Sequence, residues 1–137
     1  MSKPTPVSRG EYEVTVEGTF VASHQVHDRA GGLEPPHAHD WKVEVTFRGS
    51  NLNEQGMLVD FCVIEQRLRE ALAPLRGANL NQAPSLGGVS PTAEAIAAYL
   101  FTQMAALEKP GCRLYRVRVR EAPGCSAGYV AARTGGP

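Results

Sequence analysis

The chain lacks any apolar run approaching the ~18 consecutive residues that a membrane span requires. Its opening, MSKPTPVSRG, has no apolar stretch of the kind that begins a secretory signal. It also lacks an excess of charge, with 14 Lys and Arg against 14 Asp and Glu, so the basic footprint of a nucleic-acid binder is missing. Cysteine is sparse and unpatterned. Cys62, Cys112 and Cys125 form an odd set without the close spacing of a disulfide framework. There is no internal repeat and no low-complexity tract. A chain of 137 residues supports one domain with one core. The expectation is a flexible arm over residues 1–10 and a single domain over 11–134, working in the cytoplasm without a membrane or nucleic-acid partner. The nearest thing to a basic patch is Arg113, Arg116, Arg118 and Arg120. The last three alternate along a strand pattern, which reads as a solvated strand face or a subunit contact.

What is present is mostly alternation. Val14, Val16, Phe20, Ala22, His24 and Val26 share one parity, and Glu13, Thr15, Glu17 and Thr19 the other. That is a half-buried strand, with Gly18 read as a bulge or bend. A glycine- and proline-bearing loop, HDRAGGLEPP, leads to a second strand with His37, His39, Trp41, Val43, Val45 and Phe47 on one face. Asp60 predicts the cap of a helix over about 61–73, with Phe61, Ile64, Leu68 and Leu72 as its apolar stripe. Cys62 is read as part of that helix core. Ser90-Pro91 predicts the start of a second helix reaching about Leu107, with Ile96, Tyr99, Leu100, Met104 and Leu107 inward. A third strand covers 113–121, with Tyr115, Val117, Val119 and Glu121 on one parity. A short fourth follows at Tyr129–Ala132. The order strand, strand, helix, helix, strand, strand predicts an α+β fold: an antiparallel sheet with both helices on one face.

The chain has four histidines. His37 and His39 are two apart on a strand, so their imidazoles point the same way. His24 lies on the core-facing parity of the preceding strand. If the two strands form a hairpin, all three converge, and three histidines with one open position is a common catalytic zinc arrangement. The alternative is three unrelated histidines near a loop mouth. Glu121 continues an apolar parity, where a carboxylate is costly unless it is paired or binds something; a strand-end residue already in solvent is the plain alternative. Thr92 and Glu94 sit at the start of the second helix, where a cap and a helix-dipole role account for them. His27 and Asp28 follow the first strand and make a pair suited to acid–base work, or simply two polar loop residues. Glu34 lies three residues before His37 and carries similar weight.

These pieces together resemble the 6-pyruvoyl-tetrahydropterin synthase and 6-carboxy-tetrahydropterin synthase family. The resemblance runs over about residues 12 to 130. Its motifs are Phe20-Val21-Ala22-Ser23-His24, His37-Ala38-His39, Gly56-Met57-Leu58-Val59-Asp60-Phe61, Leu80-Asn81, Pro91-Thr92-Ala93-Glu94, and Glu121 closing the third strand. It implies a tunnelling fold of ββααββ order, a homohexamer, and zinc on His24, His37 and His39. It also implies a pterin-like small molecule anchored by Glu121, with Thr92 and Glu94 lining the pocket. Asp40, or Glu44, would act from behind the ligands.

The departures are as informative. The cysteine that the family usually places four residues before the first histidine of its H-x-H pair is Leu33 here. The usual Asp-His pair falls on Arg76 and Gly77. Glu34 is the first substitute for the missing base, and His27 with Asp28 the second. The expectation is a zinc-dependent, lyase-like enzyme with altered acid–base groups that runs the usual reaction poorly. A non-catalytic zinc- and pterin-binding protein, or the usual activity with substituted residues, are the alternatives.

Overall fold

Strands β1 (Tyr12–His24) and β2 (His37–Gly49) pair antiparallel in unbroken register, from Tyr12 opposite Gly49 to His24 opposite His37. The computed structural model describes residues 10–132, so residues 1–9 of the expected arm and residues 133 and 134 of the expected domain lie outside the described residues. After β2 the chain leaves the sheet for helix α1 (Phe61–Leu72) and helix α2 (Ala93–Met104). It returns as β3 (Arg113–Ala122) and β4 (Cys125–Val130). The sheet order is β1-β2-β3-β4, all antiparallel. Both helices cover one face, as the element order and apolar parity predict. Among the described residues no helix is long and apolar enough to cross a membrane.

The inward side chains of the sheet form the floor of the core: Val16, Phe20 and Ala22 from β1, Trp41, Val43, Val45 and Phe47 from β2, and Leu114, Val117 and Val119 from β3. Ile64, Leu68, Leu72, Ile96, Leu100 and Met104 close it from above. Each such aliphatic side chain contributes ~1.5–3 kcal/mol on burial. Phe20 stacks on Trp41 with ring centroids 5.9 Å apart, and Trp41 donates its indole N–H to the Ala22 carbonyl at 3.1 Å. The two helices are tied by polar contacts as well: Arg67 Nε donates to the Gln103 carbonyl, and the Tyr99 hydroxyl to that of Ala71.

Several local expectations need correction. Gly18 is no bulge, since it pairs with Val43 in continuous register. A Cβ there would stand 2.9 Å from Leu68 Cδ2, so glycine makes room for α1. Phe61 and Cys62 are exposed. At the first turn of α1, Phe61 lines a shallow surface cleft with Tyr12, Leu52 and Met57. Helix α2 begins two residues later than Ser90-Pro91 suggests, because Thr92 supplies the cap: its hydroxyl accepts from the Ala95 N–H at 3.1 Å. Tyr115 does not face the core. The β2–β3 register slips between Thr46 and Phe47, leaving Tyr115 as the extra residue, and its ring lies under the Arg48 guanidinium at 3.4 Å. The fourth strand starts at Cys125 rather than Tyr129, since Pro123-Gly124, with Gly124 at φ 83, suffices for a tight turn.

Candidate metal centre

One end of the sheet gathers the histidines. His24 ends β1 and faces His37, which begins β2; His39 is opposite Ala22. The strand repeat places all three imidazoles on the helix-facing side. Their ring centroids are 4.6 Å (His24–His37), 4.6 Å (His37–His39) and 5.2 Å (His24–His39) apart. Glu121 joins them from β3. Ligand atoms of His24, His37, His39 and Glu121 all lie within 4.8 Å of one another.

The arrangement has a base of fixed groups. His24 is buried, and its ring packs edge-on against Trp41 at 4.9 Å. Its Nδ1 lies 2.8 Å from the Pro91 carbonyl. Only an N–H can satisfy that oxygen, so Nδ1 carries a proton, and Nε2, the nitrogen that faces the cluster, is the one left to bind a metal. His37 repeats the pattern less tightly, with Nδ1 3.2 Å from the Pro35 carbonyl. Burial is the main influence holding the His39 imidazole below the ordinary histidine range, partly opposed by the Glu121 carboxylate. The neutral ring, which is the metal-binding form, is thereby favoured.

Glu121 Oε1 lies 2.7 Å from His24 Nε2 and 3.3 Å from His39 Nε2. Yet both nitrogens are buried without a hydrogen-bond partner. Buried imidazole nitrogens converging with a carboxylate and left without hydrogen bonds match the donor set of zinc.

The remaining expected residues are distributed around this centre. Pro91, whose carbonyl orients His24, directly precedes Thr92. Thr92 itself caps α2, and Glu94 is exposed in the first turn. His27 and Asp28 are exposed on the loop joining β1 to β2, and Glu34 is half-buried there. Asp28 Oδ1 accepts from the Ala30 and Gly32 amides, so its carboxylate shapes the loop. The Glu34 backbone N–H donates to the Val26 carbonyl, and its carbonyl accepts from Gln25 Nε2. The carboxylate of Glu34 is not among the clustered ligand atoms. Asp40 is exposed and Glu44 half-buried on the opposite face of β2, since their parity is opposite to that of His37 and His39. A role behind the ligands is thereby excluded for both, and the Pro91 and Pro35 carbonyls fill it.

A positioning residue that the sequence reading left without a role is Asn81. Its Oδ1 accepts from the Gln25 N–H at 2.7 Å and its Nδ2 donates to the Gln25 carbonyl at 3.0 Å. Both backbone groups of the residue after His24 are thus held by one amide side chain. An asparagine just after an apolar residue in an irregular segment was the available signal, but its target lies 56 positions away in sequence.

The comparisons with known proteins agree in one direction. The sequence pattern of the family described as 6-pyruvoyl tetrahydropterin synthase matches residues 13–132. A 6-carboxy-5,6,7,8-tetrahydropterin synthase from Synechocystis is 34% identical over 124 residues, covering 85% of this chain and 92% of that one. In three dimensions the fold is similar to the 6-pyruvoyl tetrahydropterin synthase of Caenorhabditis elegans, with a TM-score of 0.76, 20% identity, and coverage of 90% and 97% of the two chains. It is also similar to a Plasmodium vivax 6-pyruvoyltetrahydropterin synthase, with a TM-score of 0.66, 16% identity, and coverage of 88% and 97%. The latter structure carries alanine in place of a glutamate described as catalytic.

Proposed function

The chain belongs to the 6-pyruvoyl tetrahydropterin synthase family, and from that premise we propose that it is a zinc-dependent, lyase-like enzyme acting on a pterin or similarly flat heterocycle. The observation that carries this is the convergence of His24, His37 and His39, with the His24 tautomer set by the Pro91 carbonyl. Zinc, when bound, supplies a Lewis acid that polarises a carbonyl or hydroxyl oxygen and acidifies the atom beside it.

The chain's own residues do the rest. Glu121 offers two carboxylate oxygens to the paired N–H groups of a guanidine-like ring edge, a geometry that favours a bidentate acceptor. Thr92 and Glu94 line the same pocket from the start of α2. With Leu33 at the usual cysteine position and Arg76-Gly77 at the usual dyad, proton transfer falls to the loop. Glu34 takes the proton and His27 returns one. Asp28 holds the loop that carries them. The glutamate named as catalytic in the Plasmodium relative supports a carboxylate in that role. Among the described residues the sheet ends at β1 and β4; the 77–79 segment bonds the outer edge of β1 only near Val21 and Ser23, and no further strand pairs with β4. Edges of this kind call for cover, which supports a homo-oligomer, and the family resemblance a hexamer.

The test is metal content after denaturation, followed by a substrate panel that includes dihydroneopterin triphosphate and sepiapterin, read by mass spectrometry. About one zinc per chain and turnover of a pterin support the proposal. Zinc with pterin binding but no turnover makes the protein a binder. Efficient conversion of dihydroneopterin triphosphate restores the usual activity with substituted groups.

A further inference from the structure

Glu121 has been given one role, as anchor of a ring, yet its carboxylate lies where a metal's fourth ligand would lie. Building on the proposed zinc- and pterin-binding site, we propose that Glu121 is an exchangeable ligand. It closes the metal site at rest, and it leaves the metal to hold the heterocycle, which opens that position to an oxygen of the substrate.

The geometry carries this first. Bonds of about 2.0–2.1 Å from a tetrahedral zinc place neighbouring donor atoms ~3.3 Å apart. Glu121 Oε1 stands at that spacing, 3.3 Å, from His39 Nε2, and closer, at 2.7 Å, to His24 Nε2. Those two nitrogens make no hydrogen bond to it. The carboxylate is therefore not stationed there as an ordinary acceptor.

Charge points the same way. No lysine or arginine among the described residues pairs with Glu121; its ion-pair neighbours are the two histidines alone. One of these is buried with its Nδ1 turned to the Pro91 carbonyl, and the nitrogens that face Glu121 make no hydrogen bond to it. A half-buried carboxylate with no lysine or arginine beside it lacks a permanent counter-charge, which is costly. Two partners could supply one: a divalent cation among the imidazoles, or the N–H edge of a guanidine-like ring. Both want the same oxygen atoms, so they compete.

The backbone supplies the means. The β3–β4 register slips between Arg120 and Ala122, with Arg120 opposite Ser126 and Ala122 opposite Cys125. Glu121 is the extra residue of that bulge. A bulge re-aims its side chain and frees it from the regular ladder. Its side chain keeps 31% of its surface exposed, against 1% for His24. His24 is thus a fixed ligand, and Glu121 a reachable one.

The experiment uses cobalt(II) in place of zinc, in the wild type and in Glu121→Gln. Metal affinity is measured against a competing chelator. The visible cobalt spectrum is recorded with and without unsubstituted pterin, and pterin binding is followed separately by its own fluorescence. Glu121→Gln should weaken metal binding by roughly the 10–100-fold seen for lost supporting groups at metal sites, or more, and shift the cobalt spectrum. Pterin should shift the wild-type spectrum but leave that of the variant unchanged. If the wild type binds both cobalt and pterin while Glu121→Gln matches it in affinity and spectrum, the exchange is refuted and the zinc–pterin reading survives. A wild-type spectrum that ignores bound pterin also refutes the exchange. If the wild type binds no metal, or no pterin, both readings fall. Glu121→Asp, which retains charge with a shorter reach, should keep more affinity than Glu121→Gln; the reverse order would overturn the ligand role. Thermal melting of all three proteins verifies that they fold.

Discussion

Leu33 stands directly across an antiparallel bridge from His27. The residue at the usual cysteine position therefore has an imidazole-bearing neighbour on the facing strand of the loop, and Glu34 follows it in the chain. With zinc content held equal, Glu34→Gln should lower turnover of the responsive substrate by about 10²- to 10⁴-fold, the range of a general acid–base group, and His27→Ala by a comparable factor. The wild type should convert dihydroneopterin triphosphate at least ~100-fold more slowly than a family member with both usual groups. A stopped assay on the three proteins decides this. Full activity in both variants would place the base elsewhere, with Arg76, Cys112 and Cys125 the next positions to replace.

Metal removal should be felt as lost stability, since the ligands join three strands. At a free zinc concentration of 100 times Kd, binding to the folded state alone adds about 2.7 kcal/mol. Calorimetric melting before and after chelation measures the shift. His37→Ala should lose the bound ion and most of that increment. Retention of full occupancy in His37→Ala would remove His37 from the ligand set.

Asn81→Ala strips the paired hydrogen bonds from Gln25 and leaves two backbone groups to find other partners. A loss of ~1–3 kcal/mol is expected by urea unfolding, together with weaker metal binding although no ligand has been touched. Unchanged metal affinity would reduce Asn81 to a purely structural clamp.

Gly49→Ala should destabilise far more than Gly18→Ala. A Cβ at Gly49 would lie 1.9 Å from the Gly111 carbonyl oxygen, a backbone atom that cannot step aside. At Gly18 the nearest atom, Leu68 Cδ2 at 2.9 Å, ends a side chain that can turn. About 3 kcal/mol or more is expected at Gly49 and about 1 kcal/mol at Gly18. Equal losses by denaturant titration would show that the strand contact near Gly111 gives way.

Glu11 meets Arg113 through both carboxylate oxygens, and that hydrogen bonding holds its carboxyl below the ordinary range. A depressed folded value means the contribution is present above the unfolded pKa of about 4.3 and fades as pH falls through the folded value. Glu11→Gln should remove this small pH-dependent component and leave stability below that window unaltered. A variant whose stability still tracks the wild type across the window would dismiss the pair as a contributor.

The parity of β1 and β2 was legible because each strand alternates without interruption, and that alone brought His24, His37 and His39 onto one face. The limits are physical too. The slip at Tyr115 and the one at Glu121 arise from how two strands meet, and neither leaves a mark in its own strand's alternation. The exposure of Phe61 depends on how the first turn of α1 meets its neighbours, which the helix's own apolar stripe does not tell. The Pro91 carbonyl belongs to the backbone, so no side-chain pattern announces it as the partner of His24. Glu121 stood out as a carboxylate on an apolar parity, but its contact with the imidazoles required the bulge.

The division of the four clustered groups between strands also sets the order in which they leave the ribosome. All three imidazoles belong to a single hairpin near the N-terminal end, whereas Glu121 arrives only after both helices have been made. During synthesis the hairpin can present a three-nitrogen trap before the carboxylate exists. Ion capture at that stage would pin the ends of β1 and β2 and favour their register. The ion would then act as a template for the strands, with Glu121 completing a centre already in place.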